Sequence, residues 1–306
     1  MAYPLRMFEP RGIYFGTVRC AHARHLLRPS PETNDVVGGV LARAARRWAV
    51  EVFAFAVQSN HVHLLVRAPR GNLPQFMQFV LSNISRKVGW LVRWRGAFWE
   101  RRYSAEPVLD DQALIGRLAY ILAQGVKDGL VRRCRDWPGL SCLRMLVRGT
   151  PRTFRWYGWS KRWRARRSRE ASDRFHERWS ERESLTLTPL PCWSGVHRHQ
   201  HARRILELVR VIERQAEATH ARVLGRRYIL AQNPQFRPPH PERSPRPLCH
   251  GSRAGLRREF ADQYRAFVER FLSASARWRS GQLTAEFPVG AVRPFLWPTA
   301  PPPLAA

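Results

Sequence analysis

Hydrophobic and polar positions alternate in two different rhythms along this chain, and the switching between them lays out its first half. Ile13 to Arg19 (IYFGTVR), Val52 to Val57 (VFAFAV) and His61 to Val66 (HVHLLV) are short β-branched or aromatic runs, the pattern of strands. Asn34 to Trp48, between the first two, has helical periodicity. Asn72 is a candidate helix cap with Pro74 tolerated in the first turn. Phe76, Val80, Ile84, Val88 and Leu91 then recur at three or four, as one helix face requires. Trp99 to Val108 predicts a fourth strand and Asp111 to Val131 another helix. The order βαββαβ(α) is that of a split, ferredoxin-like α+β sheet.

After about residue 150 the pattern changes to helices and proline-rich connections. A helix is expected from His201 to about His220, with Ile205, Leu208 and Ile212 on one face. Another is expected through Leu256, Phe260, Phe267 and Phe271. Six prolines between Pro234 and Pro247 mark a semi-rigid linker or binding segment. The division is therefore 1–150 and 151–306, with a loose tail ending Pro301-Pro302-Pro303.

Composition adds a partner but no reaction. Against 23 Asp+Glu the 306 residues carry 53 Lys+Arg, a formal charge of +30, which predicts attraction to a polyanion, most often nucleic acid. The 44% hydrophobic content excludes wholesale disorder. Five widely spaced cysteines with no C-x-x-C pair fit neither a disulfide framework nor a zinc ribbon. With no membrane-length apolar run and no signal-like start, the expectation is a soluble, cytoplasmic protein that associates with the nucleoid and not with membranes.

His61 and His63, two apart in a predicted strand, project to the same side and can chelate one divalent metal. In a chain with 11 histidines such a pair is weak evidence alone, and His197-Arg198-His199-Gln200-His201 is a decoy without an apolar strand around it. In the helix starting at Asp111, Arg117, Tyr120, Gln124 and Lys127 fall on one face, opposite Leu114, Leu118, Ile121 and Leu122. By spacing alone Tyr120 is an ordinary exposed tyrosine.

Ser59-Asn60-His61-Val62-His63-Leu64-Leu65-Val66 resembles the histidine motif of single-tyrosine HUH transposases. Phe98-Trp99-Glu100-Arg101-Arg102-Tyr103, Ala119-Tyr120-Ile121-Leu122, Gly129-Leu130-Val131 and Asp136-Trp137-Pro138-Gly139-Leu140-Ser141 are similar, in order and spacing, to REP-associated tyrosine transposases and their insertion-sequence relatives. The resemblance covers roughly residues 10–145. It implies a ferredoxin-like sheet, Mg²⁺ or Mn²⁺ held by His61, His63 and the amide oxygen of Gln124, and Tyr120 as nucleophile on single-stranded or hairpin DNA of the repetitive extragenic palindrome type. The implied product is a 5′-phosphotyrosine bond, which conserves the phosphodiester for resealing. It also leaves open a homodimer in which the tyrosine acts in trans. Two positions depart from the family: Gln124-Gly125 stands where Asn-Pro is usual, and Ser59 where Pro precedes Asn-His.

Tyr120 to Gln124 reads YILAQ, and Tyr228 to Gln232 reads YILAQ again; only Tyr120 has the downstream Gly-Leu-Val and Asp-Trp-Pro blocks. Residues 152–169 form the densest basic stretch. There Arg155, Arg162, Arg164, Arg166 and Arg167 interleave with Trp156, Trp159 and Trp163, a pattern suited to phosphates and unpaired bases. The bland alternative is a solvated linker whose tryptophans belong to the core. Arg101, Arg102 and Lys127 are further candidate DNA contacts. Two other functions stay open: a non-catalytic nucleic-acid-binding protein on the same fold, and a phosphodiesterase whose histidines activate water without the tyrosine.

Overall fold

The computed structural model describes residues 5–9, 11–164, 174–175, 177–239 and 247–292. Four strands, β1 (Ile13–Arg19), β2 (Glu51–Val57), β3 (His61–Arg67) and β4 (Ser104–Val108), form one antiparallel sheet in the order β2-β3-β1-β4. With α1 (Pro31–Trp48) between β1 and β2, and α2 (Leu73–Leu91) between β3 and β4, this is the expected ferredoxin-like arrangement.

Several boundaries move for local reasons. α1 begins earlier than its apolar periodicity because the Ser30 hydroxyl accepts from the Thr33 N–H at 3.0 Å and Pro31 opens the first turn. Asn72 precedes α2 but does not cap it with its side chain; its amide instead donates to the Trp48 carbonyl at 2.8 Å. Trp99 makes only a single bridge to Cys20, so β4 starts at Ser104.

The helix expected to reach Val131 stops sooner. α3 spans Asp111–Leu122, capped by Asp110, whose carboxylate accepts from the Ala113 N–H at 2.8 Å. Ala123–Gly125 tighten into a 3-10 turn, and the Val131 N–H bonds back to the Gly125 carbonyl at 2.9 Å. A Cβ on Gly125 would sit 3.1 Å from Val131 and 3.3 Å from Trp137, tighter than ordinary van der Waals contact.

Trp137 belongs to the Asp136–Ser141 block, which runs along the free edge of β2. Leu140 and Ser141 bridge to Val57 and Ala56, and the Trp137 indole donates to the Val57 carbonyl at 3.0 Å. The edge is thereby covered. The opposite edge, β4, is covered at Val108 by a parallel bridge from His250.

α4 (Leu143–Arg148) leads into β5 (Arg152–Tyr157), α5 (Trp159–Arg164) and β6 (Ser180–Leu185). β5 and β6 form a two-stranded ribbon against α1. The approach is close enough that a Cβ on Gly39 would lie 2.0 Å from the Arg155 carbonyl oxygen. α6 (Arg198–Thr219) packs on α4 and α3, followed by α7 (Arg226–Ala231) and α8 (Ala254–Arg279). The apolar core is continuous across residue 150, taking in Phe154, Tyr157, Leu185, Ile205 and Ile229. No helix among the described residues is long and apolar enough to cross a membrane.

Alternation along the strands places His61, His63 and Leu65 on one face of β3, with Arg19, Thr17 and Phe15 beside them on β1 and Ser104 and Glu106 beyond on β4. α3 crosses this face. Val62, Leu64 and Val66 point to the other, buried side, the layer formed by α1 and α2.

Candidate active site

The loop Gln58-Ser59-Asn60 between β2 and β3 carries His61 into the site. It is fixed by main-chain bonds from Cys20 to the Asn60 carbonyl at 2.7 Å and from Leu27 to the Ser59 carbonyl at 2.9 Å. The rings of His61 and His63 lie 4.6 Å apart, centroid to centroid. Gln124, only 1% exposed, reaches the same point from the turn after α3, its Oε1 3.2 Å from the His61 Nε2.

The hydrogen bonds around this trio leave a polarity mismatch. The Asn60 amide donates to the Ala23 carbonyl at 3.3 Å, which turns its Oδ1 toward the His61 Nδ1 at 2.6 Å. The Gln124 amide donates to the Tyr120 carbonyl at 3.0 Å, which turns its Oε1 toward the His61 Nε2. A neutral imidazole has one N–H to give, and the shorter contact takes it at Nδ1. The Nε2 lone pair then faces the Gln124 lone pairs directly. A cation between them removes that conflict. His63 contacts the Thr17 hydroxyl through Nδ1 at 2.9 Å and interacts with the Gln124 side chain as well. Two imidazole nitrogens and one amide oxygen form a donor set suited to a divalent metal with coordination positions to spare.

Both imidazoles are held neutral. Burial, opposed by the Gln124 contact and reinforced by Arg19 and Lys127, pushes His61 down to about 4. Burial, with His61 and Lys127 adding to it, holds His63 well below the usual histidine range. Neutral nitrogen is the ligand form.

The half-buried Tyr120 ring stands edge-on to His63 at 5.4 Å and to Phe15 at 5.7 Å, while Phe15 stacks on His63 at 5.2 Å. The Arg117 guanidinium lies 5.0 Å from the Tyr120 centroid and the Lys127 ammonium 5.3 Å. Arg117, Tyr120, Gln124 and Lys127 therefore meet in space as their spacing predicts, although the last two are supplied by the turn and not by the helix.

The family model described as IS200-like transposase matches residues 12–124, the span from the start of the sheet to Gln124. Residues 12–124 are thus similar to the IS200-like transposases. A curated protein of Haemophilus influenzae bearing the name REP-associated tyrosine transposase is 23% identical over 147 residues, 44% of this chain and 81% of that one. A solved REP-associated tyrosine transposase bound to a REP hairpin aligns with a TM-score of 0.43 and 20% identity, covering 48% of this chain and 86% of that chain. A crystal structure described as a transposase from Deinococcus radiodurans aligns with a TM-score of 0.29 and 19% identity, covering 40% and 95%.

The other candidate residues are distributed around this transposase-like domain. Arg101 and Arg102 are exposed just before β4, at the end of the sheet where His61 and Thr17 lie. Arg155 and Trp156 lie elsewhere, with the ribbon on the outer side of α1 and α2. There Arg155 pairs with Glu177 at 2.7 Å, and Trp156 stacks on Phe79 at 5.6 Å beneath the Lys87 ammonium. Arg162 and Arg164 follow in α5. Arg166 and Arg167 lie outside the described residues.

Tyr228 is 56% exposed on α7. Its repeat is nonetheless tied to the four-stranded domain: Gln232 accepts from the buried Ser59 hydroxyl at 2.6 Å, and Leu230 accepts from Arg28. His197 caps α6, its Nδ1 facing the His199 N–H at 3.4 Å; among the described residues no group of three His, Cys, Asp or Glu could hold a metal.

Four residues at the site escape sequence reasoning: Arg19, Thr17, Glu106 and His250. The first three become visible only once the strand register is known. His250 sits 3.6 Å from the buried Glu106 and 5.4 Å from Phe15, centroid to centroid, and comes from a proline-rich stretch with no signal of its own.

Proposed function

We propose that the domain cleaves and rejoins single-stranded DNA flanking a hairpin, with Tyr120 as nucleophile. The supporting observation is the convergence of the Tyr120 ring with His61, His63 and Gln124 on one face of the sheet. On this reading the Tyr120 phenol gives up its proton to solvent as its oxygen attacks the scissile phosphorus and forms an O–P bond. The bond from phosphorus to the 3′ oxygen breaks, and that oxygen leaves as a hydroxyl after taking up a proton. The 5′ phosphate stays on the tyrosine, so a second 3′-hydroxyl can reverse the exchange with no external energy source.

His61, His63 and Gln124 are the residues that would hold Mg²⁺ or Mn²⁺. Such an ion, when bound, polarises the phosphate and stabilises the leaving oxygen. Arg117 and Lys127, beside the tyrosine, would hold the attacked phosphate, and Arg19 lies next to His61 to extend that cationic edge. Arg101 and Arg102 would continue it along the strand ends, while the basic extension, residues 151–306, would add affinity for DNA away from the reacting centre. A phenol is a weak nucleophile at neutral pH, so the cationic side chains around Tyr120 would help to stabilise the charge that develops on attack.

The test is a strand-cleavage assay on hairpin DNA with single-stranded flanks and Mn²⁺. A denaturant-resistant protein–DNA adduct carrying the segment 3′ of the cut is expected, and it should vanish on chelation and in His61→Ala. Free ends without an adduct would instead mean hydrolysis by water, and binding alone would mean a protein without chemistry.

A further inference from the structure

Between the Asp136–Ser141 block, α4 and α6 lies a cleft of about 650 Å³. Its rim carries Arg133, Arg135, Arg144, Arg148, Arg152 and Arg210. Glu213, the one carboxylate lining it among the described residues, is already engaged: it accepts from Arg133 at 3.0 Å and from the Cys134 N–H at 2.8 Å. Arg144, Arg148, Arg152 and Arg210 have no carboxylate within ion-pair distance among the described residues. Guanidiniums sharing a concavity repel one another, and the cleft walls concentrate their field. Burial and the neighbouring Arg144 both push the Arg152 guanidinium below its usual range.

The floor is different in kind. Trp137, Leu143, Val147 and Val209 make it apolar. An inorganic anion would use the rim and not the floor, and an apolar ligand the reverse. An unpaired nucleotide uses both, its base against the aromatic and aliphatic floor and its phosphates against the rim. The cleft also has a physical link to the reacting centre. Trp137 in its floor packs on Gly125, the residue after Gln124. α6 forms the wall beyond the matched residues 12–124, so this chain's own extension completes the cleft.

We propose that this cleft binds one or two unpaired nucleotides of the DNA on which the domain acts. The identity of that DNA rests on the strand-transfer reading above; the nucleotide chemistry of the cleft does not.

The experiment uses the full chain and two fluorescent probes, a blunt hairpin and the same hairpin with a short oligothymidylate tail. Affinities are read by anisotropy across a salt series. The Arg144→Ala/Arg148→Ala/Arg210→Ala variant should weaken tailed-hairpin binding at least about tenfold and lower the log–log salt slope by about 2, with blunt-hairpin binding unchanged. The corresponding triple Lys variant should keep most of the affinity, which guards against a folding defect. Tailed-hairpin binding within about twofold of wild type, or an equal loss for the blunt hairpin, would overturn the assignment. So would displacement of nothing by free oligothymidylate while a polyglutamate peptide occupies the cleft. If the tail binds through the cleft but no tyrosine adduct forms, the strand-transfer reading fails and the cleft stands. If the adduct forms and the triple variant binds the tail normally, the cleft fails and that reading stands.

Discussion

The Nε2 of His61 and the Oε1 of Gln124 face each other as two lone pairs 3.2 Å apart, each oriented by a separate amide hydrogen bond. On the proposed reading this juxtaposition makes Gln124 a metal ligand, despite its extra methylene over the family's usual Asn. Replacing Gln124 by Ala is expected to weaken Mn²⁺ binding at least about tenfold, measured by electron paramagnetic resonance titration. Gln124→Glu, which supplies a full negative charge, should strengthen it. Unchanged affinity in Gln124→Ala would remove the amide from the ligand set.

Asn60 acts one step further out. Its Oδ1, 2.6 Å from the His61 Nδ1, fixes which ring nitrogen keeps the proton. Asn60→Leu should cost about 10–100-fold in Mn²⁺ affinity while leaving the melting temperature of the metal-free protein nearly unchanged. Equal losses of affinity and stability would indicate a structural role for the loop only.

Gly39 tests the attachment of the ribbon. A methyl group there would lie 2.0 Å from the Arg155 backbone oxygen, which cannot rotate away. Gly39→Ala is expected to destabilise the protein by about 1–3 kcal/mol in chemical denaturation, because the strand must move off α1. A neutral substitution would mean that the ribbon is not firmly packed.

Much of the fold and site is legible in the sequence and some is not, and the division has physical causes. The strands and helices of the sheet show because period-2 and period-3.6 patterns reflect which face is buried, and His61, His63 and Tyr120 fall in those patterns. The end of α3 does not show. The turn that follows it brings Gly125 against Trp137, a contact twelve positions away in sequence that no local periodicity encodes. The basic-aromatic stretch is ambiguous for a related reason: alternation of Arg with aromatic residues suits a nucleic-acid groove and equally suits a strand packed on one face. Phe154 and Tyr157 are buried and Arg155 is exposed, so in that segment these two aromatic side chains pack while the guanidinium stays on the surface. His250 and Glu106 meet only through the fold.

Lys87 provides a pH signature. Burial, with Arg86 nearby, lowers its ammonium to about 8 from 10.5, where it lies 4.2 Å from the Trp156 ring centroid. The folded state therefore binds fewer protons than the unfolded chain between those two values, and stability should rise with pH across that window. Below about 8 both states carry the proton and the full penalty is present. Lys87→Met should accordingly stabilise the protein at neutral pH by on the order of 1–3 kcal/mol, with the gain shrinking toward pH 10.5. A gain independent of pH would mean that packing, not charge, is responsible.

Central to the proposed function is that Tyr120, and not the Tyr228 of the second YILAQ segment, is the nucleophile. The most direct measurement is adduct formation on labelled hairpin DNA with single-stranded flanks and Mn²⁺, comparing Tyr120→Phe with Tyr228→Phe and mapping the modified peptide by mass spectrometry. The expected adduct sits on the Tyr120 peptide, disappears in Tyr120→Phe and persists in Tyr228→Phe. An adduct that survives Tyr120→Phe, or one found on Tyr228, would contradict that assignment.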